Sequence, residues 1–354
     1  MADGQAEDVA GRLRALIARE GPIPLARYMA DANRAYYASR DPLGAEGDFI
    51  TAPEISQMFG ELIGLALADA WSRVRVPAAY VELGPGRGTL AADALRAAAR
   101  AGLRPPVHFV ENSPTLRDLQ AQRVPEATWH EDVDSLPDDV PLLIVANEFF
   151  DALPIRQYIR SQDGWRELMV GVRDDAFVLV PGPETQGVAI PEPLRSNAQP
   201  GAIFEASPAS TDLLCRLAER LVRQGGVMIA IDYGHSLPAL GDTLQAVRGH
   251  SFADPFKDPG EHDLTAHVDF SSLLAAAAAY AIRCDGPVEQ GDWLVALGID
   301  IRAEQLRRAR PDRAAEITAA RMRLIHPEQM GTLFKVVGFS GTGWPPVPGL
   351  QKAE

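Results

Sequence analysis

The apolar positions of the chain follow helical spacing at its start. Residues 8–38 repeat apolar side chains at helical intervals, with a break at Gly21-Pro22-Ile23-Pro24. This spacing predicts two helices separated by a turn. Residues 40–54 are rich in Asp, Pro and Gly and are expected to form a loop. A long helix is predicted to follow, from about Ser56 to Arg73.

From residue 79 onward, short apolar runs alternate with amphipathic segments, which is typical of an α/β sheet. The predicted strands are Ala79–Leu83, Val107–Glu111, Thr128–His130, Leu142–Asn147, Val227–Asp232, Ile282–Pro287 and Thr332–Phe339. The predicted helices are Leu90–Ala101, Pro114–Arg123, Ala209–Arg223 and Phe270–Tyr280. The expected fold class is therefore α/β, a doubly wound, mostly parallel, Rossmann-like sheet.

Two regions depart from that alternation. Ile155–Arg160, Trp165–Val172 and Phe177–Val180 predict an antiparallel meander, followed by a loop over residues 181–201. Residues 290–325 are amphipathic and predict helix. We therefore expect an N-terminal helical segment with a lid-like loop at residues 1–75. A core at residues 76–345 would carry a β-rich insertion at about 155–205 and a helical addition at about 290–325.

A glycine-rich turn follows the first predicted sheet strand, in Glu82-Leu83-Gly84-Pro85-Gly86-Arg87-Gly88. Glycines there let the backbone approach a ligand at a helix N-terminus. Dinucleotide sites use G-x-G-x-x-G, whereas the spacing here is G-x-G-x-G. Pyrophosphate would be repelled by Glu82, but a sulfonium cofactor with an ammonium group would not. The turn therefore favours S-adenosylmethionine over NAD.

Glu111 ends the second predicted sheet strand, and Asp132 follows the third. Glu111 can accept hydrogen bonds from both ribose hydroxyls, and Asp132 can accept one from the adenine amino group, with Val133 against the ring. The alternative is that each is a solvated loop acid, which is less plausible for acids at successive strand ends. The candidate cofactor contacts are Glu82, Gly84, Pro85, Gly86, Gly88, Glu111, Asn112, Asp132, Val133 and Asn147.

The fourth predicted strand ends in Asn147-Glu148-Phe149-Phe150-Asp151-Ala152-Leu153-Pro154. Ligands of doubly wound sheets lie at such strand ends. Glu148 and Asp151 could grip a cationic acceptor, for which a guanidinium fits best. Since a guanidinium has a pKa above about 12, a base must take its proton, and Asp232 is a second candidate. Phe149 and Phe150 could wall the sulfonium or simply pack in the core.

Composition narrows the class of partner. The 354 residues carry a formal net charge of −14, which disfavours nucleic acid and suits a cationic substrate, although acidity also keeps proteins soluble. Residues 1–20 include Asp3, Glu7 and Asp8 and predict neither a signal nor a transit peptide. No apolar stretch is long enough for a membrane span. These features predict a cytoplasmic protein without membrane insertion.

Metal and disulfide chemistry are not expected. The two cysteines, Cys215 and Cys284, form no metal-binding or paired pattern. His262, Asp263 and His267 lie close in sequence, but they lack the spacing of a zinc helix. The sequence therefore predicts no metal site.

Several runs together resemble a known family, the mitochondrial complex I assembly methyltransferases and their bacterial MidA-like relatives. The matching runs are Gly47–Gln57, Glu82–Gly88, Asn147–Pro154, Ile231–Gly234, Asp263–Phe270 and Met330–Phe339. They occur in order from about Pro22 to Phe339. Unlike the mitochondrial members, this chain shows no transit peptide, which fits a bacterial cytoplasmic relative.

The resemblance implies a seven-stranded methyltransferase core whose last strand is antiparallel. It also implies symmetric dimethylation of an arginine on a core subunit of respiratory complex I, so the expected partner is a protein substrate. By the match, Gly84, Gly86 and Glu111 would hold the cofactor, and the Gly47–Gln57 loop would lie over the cofactor or acceptor. The candidate substrate contacts are Thr51, Glu54, Ser56, Phe149, Phe150, Tyr233 and His267.

Three other functions are compatible with the sequence. The chain could be a cofactor-binding assembly factor that acts mainly by holding a partner, or a methyltransferase for small molecules. A NAD oxidoreductase is the alternative at the level of the fold. The sequence leaves open which acid is the base and whether the chain forms a homodimer.

Overall fold

The computed structural model describes residues 8–39, 51–185, 189–249 and 251–350. Of the loop predicted at residues 40–54, residues 40–50, with Gly47-Asp48-Phe49-Ile50, lie outside the described residues, and the end from Ala52 onward forms a short helix instead. The α-helices are α1 (Val9–Glu20), α2 (Leu25–Ser39), α3 (Ala52–Ile55), α4 (Gln57–Ser72), α5 (Thr89–Arg100), α6 (Pro114–Arg123), α7 (Glu192–Asn197), α8 (Pro208–Gln224), α9 (Phe270–Ala277), α10 (Gln290–Ala296), α11 (Ile299–Ala309) and α12 (Ala314–Ile325).

Strands and short turns of helix fill the intervals. The strands are β1 (Ile23–Pro24), β2 (Ala79–Leu83), β3 (Val107–Val110), β4 (Thr128–His130), β5 (Leu142–Asn147), β6 (Arg156–Arg160), β7 (Trp165–Arg173), β8 (Ala176–Glu184), β9 (Ile203–Ala206), β10 (Gly226–His235), β11 (Gln245–Arg248), β12 (Ser251–Ala253), β13 (Asp263–Thr265), β14 (Val268–Asp269), β15 (Arg283–Glu289) and β16 (Phe334–Ser340). Short 3-10 turns occur at Val133–Ser135 and Pro311–Arg313, and one π turn occurs at Pro327–Gly331.

The central sheet has the strand order β15-β16-β10-β5-β2-β3-β4, with β14 added beside β10. Neighbours from β10 to β4 run parallel, whereas β16 is antiparallel to both β10 and β15. The sheet is thus mixed and has eight strands where the resemblance implies seven. The extra strand is the two-residue β14, which pairs with the far end of the long β10.

The central strands are buried on both faces, as their unbroken apolar sequences require. Every residue of β2 and of β5 is buried. One side is covered by α4 and α5. These helices can approach closely because Gly64 has no side chain: a Cβ there would lie 2.1 Å from the Ala94 carbonyl oxygen. The other side packs against apolar residues of α8 and α9, including Leu214, Leu217 and Phe270.

A second sheet joins distant parts of the chain. Its order is β1-β7-β6-β9, with β8 paired to β7. The antiparallel meander of β6, β7 and β8 agrees with the sequence pattern. The two-residue β1 from the N-terminal segment pairs with β7, at Ile23↔Val170. The segment 181–201, predicted as loop, instead continues β8 to Glu184 and contains α7.

The N-terminal helices are also fixed to the edge of the central sheet where β5 ends. The side-chain amide of Asn33, on α2, donates to the carbonyl oxygens of Ala152 at 3.1 Å and Leu264 at 2.8 Å. Its side-chain oxygen accepts from the Leu264 N–H at 2.9 Å. Leu264 lies in the small sheet β12-β11-β13, which the sequence pattern does not predict. As a result, α2 and β13 both border the end of β5.

Candidate cofactor and active site

Parallel pairing brings the carboxyl ends of β2, β3 and β4 side by side. Leu83 is paired with Val110, and Val110 with His130. The Gly84 N–H continues this pattern by donating to the Val110 carbonyl at 3.0 Å, and the Glu111 N–H donates to the His130 carbonyl at 3.0 Å. Glu82, Glu111 and Asp132 therefore occupy adjacent strand ends at one edge of the sheet, where nucleotides bind in α/β folds.

The glycine turn between β2 and α5 has left-handed backbone at three positions. The φ angles are +59° at Gly84, +53° at Gly86 and +77° at Gly88, and Gly88 is the N-cap residue of α5. A Cβ on Gly84 would also meet the ring of Phe149 at 2.8 Å. Glycine is thus required at position 84 both by conformation and by the close approach of Phe149, and the free N–H groups at the start of α5 are available to a ligand.

Glu82 is buried instead of facing solvent. It is 3% exposed and accepts a hydrogen bond from the Tyr80 hydroxyl at 2.5 Å. Burial raises the pKa of Glu82 to about 8, against the opposing effect of the Tyr80 hydroxyl. This carboxyl therefore keeps its proton at neutral pH until a positive group approaches it.

Glu111 is held by donors that leave its orientation fixed. Its Oε1 accepts from the Ser113 N–H at 2.8 Å, and its Oε2 accepts from the Gln120 side-chain amide at 3.2 Å. Burial raises the pKa of Glu111, and these two donors oppose that change. Asn112, between Glu111 and Ser113 in sequence, is exposed. A carboxylate with this fixed orientation suits a pair of ribose hydroxyls.

Asp132 is exposed and serves as a local cap. Its Oδ1 accepts from the N–H groups of Asp134 at 2.9 Å and Ser135 at 3.1 Å, so it begins the short 3-10 turn. These bonds lower the pKa of Asp132, chiefly through Ser135. Val133, the next residue, is 2% exposed and packs in the core on the α8 side of the sheet.

The turn after β5 is organised by Asp232 on the neighbouring strand β10. One oxygen, Oδ2, accepts from the N–H groups of Phe149, Phe150 and Asp151 at 3.1, 2.9 and 3.2 Å. The other, Oδ1, accepts from the Tyr233 N–H at 3.0 Å. Asp232 is fully buried, and burial together with Asp151 and Glu148 raises its pKa. Since both oxygens already accept backbone bonds, this geometry favours a positioning role over a role as proton acceptor.

Glu148 adopts a left-handed backbone conformation, with φ +49°. A left-handed conformation is unfavourable for a non-glycine residue, and such residues are enriched at active sites. Its Oε1 accepts from the Ala52 N–H at 3.0 Å and from the Asn147 side-chain amide at 3.2 Å. Burial raises the pKa of Glu148 to about 7. Burial thus brings the titration of this carboxyl towards neutral pH.

Two buried oxygens at the end of β5 have no hydrogen-bond donor among the described residues. They are Oδ1 of Asn147 and Oδ1 of Asp151, in side chains of residues 8% and 6% exposed. Burial raises the pKa of Asp151 to about 6, and the Tyr233 hydroxyl, which is hydrogen-bonded to Asp151, opposes this. Buried acceptors without donors are unfavourable. These two positions therefore suit a ligand that is rich in N–H groups.

Helix α3 links the two halves of the site. Besides the contact from Ala52 to Glu148, Glu54 accepts a hydrogen bond from the Thr89 hydroxyl, at the start of α5, at 2.5 Å. Thr51 is the N-cap residue of α3, and Ser56 caps α4 by accepting from the Met58 N–H at 3.2 Å. Of these three candidates, Glu54 approaches the glycine turn, and Ser56 has a structural role.

The aromatic candidates divide between the site and the core. Phe150 is 2% exposed and belongs to the core, whereas Phe149 is partly exposed against Gly84. Tyr233 contacts the ring of His267, with centroids 5.6 Å apart. Among the residues that the structure describes, no group of three or more His, Cys, Asp or Glu side chains is placed to hold a metal ion. None of the described helices is long and apolar enough to cross a membrane.

Four groups that donate hydrogen bonds around the site were not predicted from the sequence. They are the Ala52 N–H, the Thr89 hydroxyl, the Gln120 side-chain amide and the Tyr37 hydroxyl, which donates to Asp263 at 2.6 Å. Each depends on segments far apart in the chain.

A glycine turn, acids at neighbouring parallel strand ends and an antiparallel last strand define an α/β methyltransferase fold. The match to known proteins is more specific. The chain belongs to the family described as "Putative S-adenosyl-L-methionine-dependent methyltransferase", whose model matches residues 62–288. It is a methyltransferase that uses S-adenosylmethionine, which decides against the NAD alternative.

Relatives and one solved structure agree. The mitochondrial protein arginine methyltransferase NDUFAF7 homolog of Drosophila melanogaster is 36% identical over 92% of this chain and 83% of its own. The human protein arginine methyltransferase NDUFAF7 is 32% identical over 89% of this chain and 79% of its own. A Burkholderia thailandensis protein, solved bound to S-adenosyl-homocysteine, is 28% identical, covers 99% of this chain and 94% of its own, and has a TM-score of 0.84.

These relatives correct one prediction. The cytoplasmic location expected from the N-terminal residues is wrong, because the curated relatives are mitochondrial proteins and point to a mitochondrial location. The acids in the first residues misled that prediction, since composition near one end of a chain is weak evidence for a compartment.

Proposed function

We propose that this methyltransferase transfers the methyl group to an arginine side chain of a protein. The observation that carries the proposal is the buried Oδ1 of Asp151, which has no hydrogen-bond partner among the described residues, next to the partly buried carboxyl of Glu148. A guanidinium carries five N–H donors in a planar fork and is the side chain best suited to such acceptors. The protein arginine methyltransferases among the relatives support this choice.

On the cofactor side, the chain's own residues would bind and orient. The turn Gly84-Pro85-Gly86 and Gly88 present backbone at the start of α5, and Glu111 would accept from the ribose hydroxyls, with Asn112 beside it. Asp132 and Val133 would border the adenine, and Asn147 Oδ1 would accept from the ammonium group. Glu82 would lie near the positive end of the cofactor, where its proton is lost most easily. When bound, S-adenosylmethionine supplies an already activated methyl group.

On the acceptor side, Glu148 and Asp151 would orient one guanidinium nitrogen towards the methyl carbon. That nitrogen forms the new N–C bond as the S–C bond breaks, which leaves S-adenosylhomocysteine. The guanidinium proton must leave as attack proceeds, and Glu148 or Asp151 would take it before release to solvent. Asp232 would hold the backbone that positions both acids. The acceptor arginine would be bordered by Glu54, Phe149 and Tyr233. The positions of these side chains would be stabilised by their neighbours Thr51, Ser56, Phe150 and His267.

We also propose a division of labour within the chain. Residues 1–75 and the insertion at about 155–205, which share the sheet of β1 and β7, would present the acceptor to a core at residues 76–345. Helices α10, α11 and α12 form the helical addition. The acceptor we propose is a core subunit of respiratory complex I, on the basis of the family resemblance.

The test is Glu148→Gln, which keeps the shape of the side chain but removes its charge. We expect binding of S-adenosylhomocysteine to persist and arginine methylation to fall on the order of 100-fold, the usual contribution of such a group. The readout is mass spectrometry of arginine methylation in cells that lack this chain and are complemented with wild type or variant.

Glu289→Gln is the matched control. Glu289 lies on the edge strand β15, three strands away from β5, and accepts from the Thr332 hydroxyl at 3.1 Å. Full methylation with Glu148→Gln would show that this acid does not grip the acceptor. Arginine methylation that is unchanged when the whole chain is absent would refute the proposed acceptor.

A further inference from the structure

Gln120 is a fully buried amide on α6, between the glycine turn and the ribose-side acid. It is 0% exposed. Its side chain contacts three separate elements, namely the turn after β2, the residue after β3, and β4. The sequence gives no sign of it, because a glutamine on an amphipathic helix ordinarily faces solvent.

The orientation of this amide is determined by its partners. The indole N–H of Trp129 can only donate, and it donates to the Gln120 side-chain oxygen at 2.7 Å. The side-chain nitrogen must then face the other two partners, which can both accept. It donates to the Gly86 carbonyl at 2.7 Å and to Glu111 Oε2 at 3.2 Å. Each contact requires the orientation that the other two impose.

The consequence is a direct link between the two parts of the cofactor site. One N–H of Gln120 holds the peptide of the glycine turn, and the other holds the carboxylate that would accept the ribose hydroxyls. The neighbouring Arg123 also donates to the turn, at the Arg87 carbonyl, at 2.8 Å. Helix α6 therefore fixes the distance and orientation between turn and acid before any ligand arrives.

We infer that Gln120 is a positioning residue for cofactor binding, which acts on the ribose through Glu111. The inference rests on the proposed role of Glu111. The first test is Gln120→Leu, which keeps the volume and removes the donors. We expect the dissociation constant of S-adenosylhomocysteine, measured by calorimetry on the full chain, to rise about tenfold, the equivalent of one hydrogen bond to a charged group.

A ribose-specific readout separates positioning from general damage to the fold. The second ligand is the 2′-deoxyribose analogue of S-adenosylhomocysteine, which lacks one of the hydroxyls that Glu111 would hold. Wild type should bind this analogue more weakly than the parent, whereas Gln120→Leu should bind the two with nearly equal affinity. An equal loss for both ligands would overturn the inference.

Two further variants complete the experiment. Gln120→Glu keeps an acceptor for Trp129 but places a second carboxyl beside Glu111. It should therefore also reduce the difference in affinity between S-adenosylhomocysteine and its 2′-deoxyribose analogue. This variant replaces Gln120→Leu if the leucine variant does not fold. Gln290→Leu is the control, since Gln290 is equally buried but donates to the Leu324 carbonyl, in the helical addition. Unchanged discrimination in Gln120→Glu would contradict the inference. If wild type binds neither ligand, the proposed cofactor site fails instead.

Discussion

Asp232→Asn is a sharp test of how the reaction site is held together. The carboxylate accepts four backbone N–H bonds, at 2.9 to 3.2 Å. An asparagine oxygen can retain the three from Phe149, Phe150 and Asp151. Its amide nitrogen must then face the Tyr233 N–H, so one buried donor loses its acceptor. A hydrogen bond to a charged group contributes about 1.5–3 kcal/mol.

The three retained bonds also weaken when the charge is lost, although relief of repulsion with Asp151 offsets part of this. We therefore expect Asp232→Asn to lower the free energy of unfolding by about 2–4 kcal/mol. The measurement is chemical denaturation of both proteins. At denaturant concentrations where the variant is still folded, methyl transfer should be on the order of 100-fold slower than in wild type, because the turn that carries Glu148 and Asp151 shifts.

Asp269→Asn is the matched control. Asp269 caps α9 by accepting from the N–H groups of Ser271 and Ser272, and asparagine is nearly as good an N-cap residue. It should cost less than about 1 kcal/mol. If the two variants lose equal stability, or if Asp232→Asn unfolds and reacts like wild type, then the network around Asp232 does not hold the site.

Two predictions concern pH. Burial raises the pKa of Glu82 to about 8. Between about pH 4.5 and about pH 8 the carboxyl is therefore ionised in the unfolded chain but protonated in the folded one, and the free energy of unfolding falls as pH rises. In denaturation without cofactor, Glu82→Gln should therefore have the same free energy of unfolding as wild type near pH 4.5 and a value about 2–4 kcal/mol higher near pH 8. A difference that does not grow with pH would contradict this. The pKa values of Glu148 and Asp151 are raised to about 7 and about 6, and the acceptor needs their charged forms. The rate kcat/KM for the acceptor should therefore decline as pH falls through 7 and 6, and a flat profile would exclude both acids.

Much of the central sheet could be predicted because its strands are short apolar runs with clear ends. The predicted bounds of β2, β4 and β5 equal those in the structure. Once these strands are placed in parallel, Glu82, Glu111 and Asp132 must lie at one edge. The sequence pattern thus predicts at which edge of the sheet the proposed cofactor site lies.

Other features depend on partners that the local sequence does not specify. The strands β9, β11, β12 and β13 were not predicted as a set, because antiparallel edge strands are short and their partners are distant. The buried state of Glu82 depends on Tyr80 and on the surrounding core. The role of Asp232 depends on three amides in another strand's turn. Such contacts follow from tertiary structure and not from residue type or spacing.

The bonds between Asn33 and Leu264 have a consequence for synthesis of the chain. These residues are 231 positions apart. At about 5–20 residues per second, the ribosome needs roughly 10–50 s to produce the partner after Asn33 has appeared. For most of that interval Tyr28, which is fully buried in the folded protein, lacks its ring contact with Phe256 and the hydrogen bond from its hydroxyl to the Pro255 carbonyl. Complete docking of the N-terminal segment is therefore expected to be a late step in folding.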